Sequence, residues 1–168
     1  MIAYRDGTAA DLPAIEALFR KSFTATFGHL YAPEDLAAFF AKSTPEAWAE
    51  EFAEPQTAFH LAFSGERLVG FVKLGALELP AETSAPATEL RQLYLDEDAK
   101  GTGAAAVLMD WAIATARTRG SAELWLSVYI DNHRAKRFYA RYGFEDRGPY
   151  RFMVGNHADE DRLMRLSL

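Results

Sequence analysis

The chain contains no cysteine, which removes disulfides, zinc–thiolate centres and a cysteine nucleophile in one step. No apolar run approaches the ~18 residues that a membrane-spanning helix needs, so no membrane partner is expected. The four histidines, at positions 29, 60, 133 and 157, share no ligand spacing, and no metal is expected. The opening residues, MIAYRDGTAADLPAIEALFRK, are charged and amphipathic and lack an apolar leader core; a cytoplasmic location is the default. Positive charge is scarce too: 18 Lys and Arg stand against 24 Asp and Glu, a net −6, which argues against a nucleic-acid partner.

What is present describes one ordinary globular domain spanning residues 1–168, 49% hydrophobic and 25% charged, long enough to bury a core without staples. The acidity is concentrated. Between Pro33 and Glu54 lie six acids and one base, Lys42. Two readings stand for that segment: solvated helix faces, or a negative field that steers a cationic substrate.

The hydrophobic period gives the element order. Ile2–Arg5 alternates as a first strand. Leu12, Ile15, Leu18, Phe19, Ser22 and Phe23 recur at helical spacing in a helix that ends near Gly28. Short helices open at Pro33 and after the cap Ser43-Thr44-Pro45. The period then changes: Ala58–Phe63 and Leu68–Leu77 are strands about the turn Ser64-Gly65-Glu66-Arg67, and Thr88–Leu95 follows a polar linker. A helix over about 104–119 and a strand over Ala122–Ile130 imply a right-handed crossover and a parallel pair. Asp131-Asn132 caps a helix that stops at Gly143. Phe144–Val154 and Arg162–Leu168 are the last strands, joined by an acidic loop, Gly155–Asp161. The fold class is α/β, a mixed sheet flanked by helices.

Between the Thr88–Leu95 strand and the following helix lies Asp98-Ala99-Lys100-Gly101-Thr102-Gly103. A strand feeding a helix through this turn presents free N–H groups at a helix N-terminus, a seat for phosphate or pyrophosphate. Farther on, Asn132, Ala135, Phe138, Tyr139, Gly143 and Phe144 satisfy the pattern Asn-x-x-Ala-x-x-Phe-Tyr-x-x-x-Gly-Phe. With both motifs on the right elements, the chain resembles the GNAT superfamily of N-acetyltransferases over essentially its whole length. The first motif departs from the family form, [Arg/Gln]-x-x-Gly-x-[Gly/Ala], in placing Asp98 at the basic position, in a turn about two residues short.

The resemblance implies a sheet of about seven strands with a central parallel pair, acetyl-CoA as cosubstrate, a primary amine as acceptor and direct attack in a ternary complex. It also implies the binding residues: Leu93, Tyr94 and Leu95 at the splayed strand, Lys100, Gly101, Thr102, Gly103 and Ala104 at the pyrophosphate turn, and Asn132 and Arg137 on the next unit, with Arg134 and Arg141 as further cations. Tyr139 is the candidate for meeting the leaving thiolate. Glu89 is the candidate base, lying twelve residues before Gly101, the distance at which family members with a strand-four glutamate place it. A homodimer through the C-terminal strands is the family-level expectation. The stretch SFTATFGHLYAPEDLAAFF and the tail FMVGNHADEDRLMRLSL are similar to those of bacterial polyamine (spermidine or spermine) acetyltransferases, and a polyamine suits the acidic segment; amino-acid and peptide amines are the other acceptors in view. The rival reading is a non-catalytic acyl-CoA sensor, in which Asp98 accompanies lost turnover.

Overall fold

The computed structural model describes residues 1–168. After β1 (Ile2–Asp6), a capping box between Thr8 and Asp11 starts the chain into α1 (Leu12–Phe27), whose apolar stripe is buried: Leu12, Ile15, Leu18, Phe19, Ser22 and Phe23. Two short helices follow, α2 (Pro33–Ala41) and α3 (Pro45–Phe52). Each opens on a proline, whose fixed φ and missing N–H suit the first helical position. The Thr44 hydroxyl accepts the Ala47 N–H at 3.1 Å to cap α3.

The period-two segments then form β2 (Ala58–Ser64), β3 (Arg67–Ala76) and β4 (Ala87–Leu95), sequential and antiparallel. Helix α4 (Ala104–Thr118) crosses to β5 (Glu123–Tyr129), parallel to β4. Helix α5 (His133–Tyr142) leads to the hairpin β6 (Glu145–Val154) and β7 (His157–Ser167). The seven strands lie in one sheet in the order β1-β2-β3-β4-β5-β7-β6. The mixed sheet with one central parallel pair is as predicted. Its two faces bury separate cores. Leu108, Met109, Leu124, Leu126 and Met164 pack on the side of α4 and α5. Phe19, Phe23, Trp48, Phe59 and Phe71 pack on the side of α1 to α3.

Two local features create the site. The parallel pairing covers only Ala87–Glu89 against Glu123–Trp125, after which β4 leaves β5. The cause is a bulge. Leu74 on β3 faces Leu90, and Lys73 faces Gln92, so Arg91 is an extra residue on β4, and a bulged strand bends. Arg91 then lies across β3 at Gly75, where a Cβ would stand 2.3 Å from its Nε. Its guanidinium is held by Glu51 at 2.9 Å and by the Ala76 carbonyl at 3.0 Å.

The second feature corrects the sequence reading. The acidic segment after Gly155 is not a loop: β7 begins at His157 and pairs with β6 from Val154↔His157 onward. Asp159 and Asp161 alternate with the exposed Ala158 and Glu160 and turn inward, at 5% and 6% exposure. The strand's period of two was masked because its buried face carries carboxylates where a core strand carries apolar groups.

Candidate active site

The gap between β4 and β5 opens into a cavity of about 670 Å³ that passes through the sheet. Its walls are Leu90–Leu95 of β4 and Leu126–Tyr129 of β5. The start of α4 and one side of α5 line it on one face, and aromatic groups of α1 and α2 with Asp159 and Asp161 line it on the other.

At the α4 end, Gly101 (φ 77°) and Gly103 (φ 87°) hold left-handed conformations, and no atom would crowd a Cβ at either. Backbone conformation, not space, requires glycine there. The turn's N–H groups divide by parity. Those of Lys100 and Thr102 are used internally, on the Glu97 and Ala99 carbonyls, whereas those of Gly101, Gly103 and Ala105 have no internal partner. These three residues line the cavity. Converging N–H groups at a helix N-terminus suit an anion, and cations stand around them: Lys100, Arg134, Arg137 and Arg141 are all cavity residues. Lys100 also ion-pairs with Glu97. Thr102 and Ala104 do not line the cavity; the Thr102 hydroxyl is turned back onto the Ala99 carbonyl.

Asp98 does not face this seat. The short turn closes as a single 3₁₀ turn, Glu97–Ala99, with Asp96 capping it through the Glu97 N–H at 2.8 Å. Asp98 is thereby directed outward to Arg67, 2.8 Å away. Asp96 is held by Lys21 and Arg67, each at 2.8 Å, and the Lys21 hydrogen bond leads in keeping its carboxyl below the usual range. The acids of the turn thus have cations of their own from α1 and β3.

In the middle of the cavity, the backbone of β4 is the chemistry. The Asp96 N–H bonds the Val69 carbonyl of β3 at 2.8 Å. Antiparallel hydrogen bonding alternates, so Tyr94 and Gln92 also bond toward β3, while Leu93 and Leu95 turn their backbone groups to the gap. Consistent with this, the Leu95 carbonyl accepts the Ser22 hydroxyl at 3.3 Å. Tyr139 of α5 lines the gap with its ring edge-on to Phe138 and Phe144, and burial pushes its phenol up to about 12. Asn132 lines the cavity and caps α5, its Oδ1 accepting the Ala135 N–H at 3.3 Å.

The opposite end is aromatic and anionic. Phe23, Phe27, Phe39, Tyr31, Tyr129 and Phe152 wall it. The Tyr31 hydroxyl donates a hydrogen bond to Asp159 Oδ2, and His157 Nε2 lies 3.2 Å from Asp159 Oδ1. Asp161 takes part in no ion pair, and Ser127 of β5 is a polar neighbour. Burial, followed by the adjacent Asp159, raises its carboxyl to about 7. Neither carboxylate is among the site residues that the resemblance implies.

Two sequence expectations are not brought into the cavity. Glu89 does not line it; its Oε2 accepts the backbone N–H groups of Glu78 (2.8 Å) and Leu79 (3.2 Å), fastening the chain that leaves β3. The acids of Pro33–Glu54 do not line it either. Glu51 holds Lys73 at 2.8 Å and Arg91 at 2.9 Å, Glu54 also reaches Arg91, and Asp35 accepts the Asn156 N–H at 2.9 Å. Glu34, Glu46 and Glu50 are exposed, as the solvated-face reading has it, while Asp35, Glu51 and Glu54 brace other elements; the carboxylates that line the cavity come from β7.

Comparison with known proteins gives the following. The family described as "Acetyltransferase (GNAT) family" matches residues 12–144. An uncharacterized N-acetyltransferase of Mycobacterium tuberculosis is 34% identical over 155 residues, covering 92% of this chain and 96% of its own length. One of Lactobacillus delbrueckii subsp. lactis is 30% identical over 160 residues, covering 94% and 92%. Among solved structures, the PaiA N-acetyltransferase of Thermoplasma acidophilum in complex with coenzyme A superposes with a TM-score of 0.81 at 22% identity, covering 100% of this chain and 99% of that one.

Proposed function

The chain belongs to the acetyltransferase (GNAT) family and is an N-acetyltransferase that uses acetyl-CoA; from that premise we propose that it transfers the acetyl group directly to a primary amine that carries no carboxylate of its own beside the nitrogen. The observation that carries this reading is one cavity with opposite electrostatics at its two ends: unpartnered N–H groups and cations at α4 and α5, and buried carboxylates of β7 at the other.

The residues fit the cosubstrate at the first end. The N–H groups of Gly101, Gly103 and Ala105 suit a pyrophosphate, with Lys100, Arg134 and Arg137 as counter-charges. Acetyl-CoA supplies an activated carbonyl and a thiolate leaving group. The gap-facing N–H groups of β4, at Leu93 and Leu95, are placed to stabilise negative charge developing on the acyl oxygen. Asn132 offers its side-chain amide to the same arm of the cavity. Tyr139 keeps its proton and donates a hydrogen bond to the departing sulfur. With the phenol near 12 and a thiol near 8.5, full transfer is uphill by about 5 kcal/mol.

The acceptor is selected at the second end. A buried carboxylate pair costs stability unless a cation answers it, and an ammonium group does so. An amino acid brings its own carboxylate next to the amine and meets repulsion from Asp159 and Asp161. A polyamine brings methylenes that lie against the aromatic walls and nitrogen at the carboxylates, so polyamines are the first acceptors to test. A thiol-release screen with acetyl-CoA across polyamines, arylalkylamines, amino acids and peptides tests the reading. Turnover is expected with the first two classes and not with free amino acids; exclusive turnover of amino acids would overturn it.

A further inference from the structure

The amine must lose a proton before it can attack, and the side chain expected from the sequence to take it, Glu89, stands outside the cavity with its oxygen committed to two backbone N–H groups. Four phenols stand around the acceptor end. Tyr31 from the connection after α1, Tyr94 of β4, Tyr129 of β5 and Tyr150 of β6 each sense Asp161 electrostatically, and all four are shifted upward and so stay protonated. That leaves the two β7 carboxylates, and their surroundings differ. Both oxygens of Asp159 are engaged, one by the Tyr31 hydroxyl and one by His157. Asp161 faces Asp159 along its own strand, Ser127 and Tyr129 across β5, Tyr94 across the gap and Tyr150 across β6. No cation faces it.

We infer that Asp161 is the group that accepts the proton of the acceptor's ammonium, and that Asp159, fixed by Tyr31 and His157, is the anion that positions that ammonium. The inference rests on the amine-transfer reading above. Paired carboxylates in unlike environments divide labour in this way, one held as a fixed charge and the other poised to titrate. Burial places Asp161 near neutrality, where a general base is most effective.

The balance is simple. One N–H bond breaks and its proton goes to an Asp161 oxygen. The freed nitrogen lone pair forms the C–N bond, and the C–S pair leaves with sulfur. The second proton lost by nitrogen ends on that sulfur, giving the thiol, with Tyr139 hydrogen-bonded to it meanwhile. The proton on Asp161 passes to solvent, so one proton is released for each ammonium acetylated.

The test is the pH dependence of thiol release at saturating acetyl-CoA, for the wild type and for Asp161→Asn, Asp161→Glu, Asp159→Asn and Glu89→Gln. For the wild type, kcat/KM for the amine should fall below about pH 7 along an acidic limb. Asp161→Asn should lower it by about 10²–10⁴-fold, the usual size of a general-base contribution, and abolish the limb, while CoA binding measured by calorimetry stays unchanged. Asp161→Glu should keep a limb at a shifted position with a reduced rate, which guards against a variant that merely misfolds. Asp159→Asn should raise KM for the amine more than it lowers kcat. Glu89→Gln should keep the limb where it is. An active wild type whose Asp161→Asn variant retains the limb overturns this inference alone, as does loss of the limb in Glu89→Gln. A wild type that releases no thiol with any amine overturns the amine-transfer reading and this inference together.

Discussion

Replacing Asp161 by asparagine should make the protein more stable at alkaline pH, and the size of the effect follows from where the side chain lies. Its carboxyl titrates at about 7 in the fold against an ordinary value of 3.8. Because the folded-state value is the higher one, the folded protein binds the proton more tightly than the unfolded chain. Stability from this group is therefore complete below the ordinary value and is lost as pH rises through about 7. About two of the three units of difference fall between pH 5 and pH 8, worth about 3 kcal/mol. The cavity admits solvent to one side of the carboxyl, which reduces this to about 2 kcal/mol. Asparagine, nearly the same shape and never charged, escapes the loss. The difference in melting temperature, variant minus wild type, should rise by about 4–8 °C between pH 5 and pH 8, at the ~2–4 °C per kcal/mol of a chain this size. Thermal melts by circular dichroism at the two pH values measure it directly. Carboxylates remote from Asp161 are unaffected by the substitution, and their contributions cancel in the difference. A difference that stays flat with pH, or that favours the wild type at pH 8, would refute the argument.

Three further perturbations follow from the same geometry. Gly103→Ala forces a side chain to φ 87° at the cap of α4, so it should cost about 1–2 kcal/mol and raise KM for acetyl-CoA; melting and initial-rate measurements check the two effects. Asp98→Ala removes an outward-facing partner of Arg67, and should leave KM for acetyl-CoA unchanged while costing less than about 1 kcal/mol. Glu51→Ala strips the shared partner from Lys73 and Arg91, and should destabilise by about 3 kcal/mol in urea unfolding; its companion Lys73 already has its charge disfavoured by burial.

How far the sequence reveals this arrangement depends on what kind of interaction fixes each residue. Helices and strands follow from periodicity, because their apolar faces meet large cores: the stripe Leu12 to Phe23 and the alternation Leu124, Leu126, Val128 lie where the pattern predicts. Gly101 and Gly103 are legible for a similar reason, since a left-handed backbone at a helix start leaves almost no other choice of residue. Positions that depend on a distant segment are not legible. Glu89 has the expected spacing from Gly101, but only the path of residues 78–79 shows that two N–H groups converge on it. Asp98 is an acid in a phosphate turn until Arg67, thirty-one residues earlier, is found beside it. Asp159 and Asp161 were hidden because charged residues at alternate positions look like a solvated loop. The available signal was register: stepping back by twos from the apolar Leu163 reaches Asp161, Asp159 and His157, on the face that a long aromatic helix covers.

The division of the cavity by the sheet explains why those carboxylates can stay without cations. Were Asp159 and Asp161 on the α4 and α5 face, Arg134 and Arg137 would pair with them, and the anion seat and the acceptor seat would cancel one another. β7 prevents this by its alternation: Met164 and Leu166 fill the core on the α4 and α5 side, while Asp159 and Asp161 open to the other. The bulge at Arg91 then supplies the one opening through which the two fields meet, because β4 can leave β5 only after Glu89. Bracing that bulge is the task of Glu51 on α3, which holds Arg91 and Lys73, and of Glu54 just after it, which holds Arg91. Glu51 and Glu54 on one side and the acidic strand on the other therefore act on one event from two directions: the first two brace the bulge that opens the gap, and the second sets the charge of what enters it. Deleting Arg91 removes the extra residue of the bulge, and should straighten β4, return Leu93 and Leu95 to pairing with β5 and close the site.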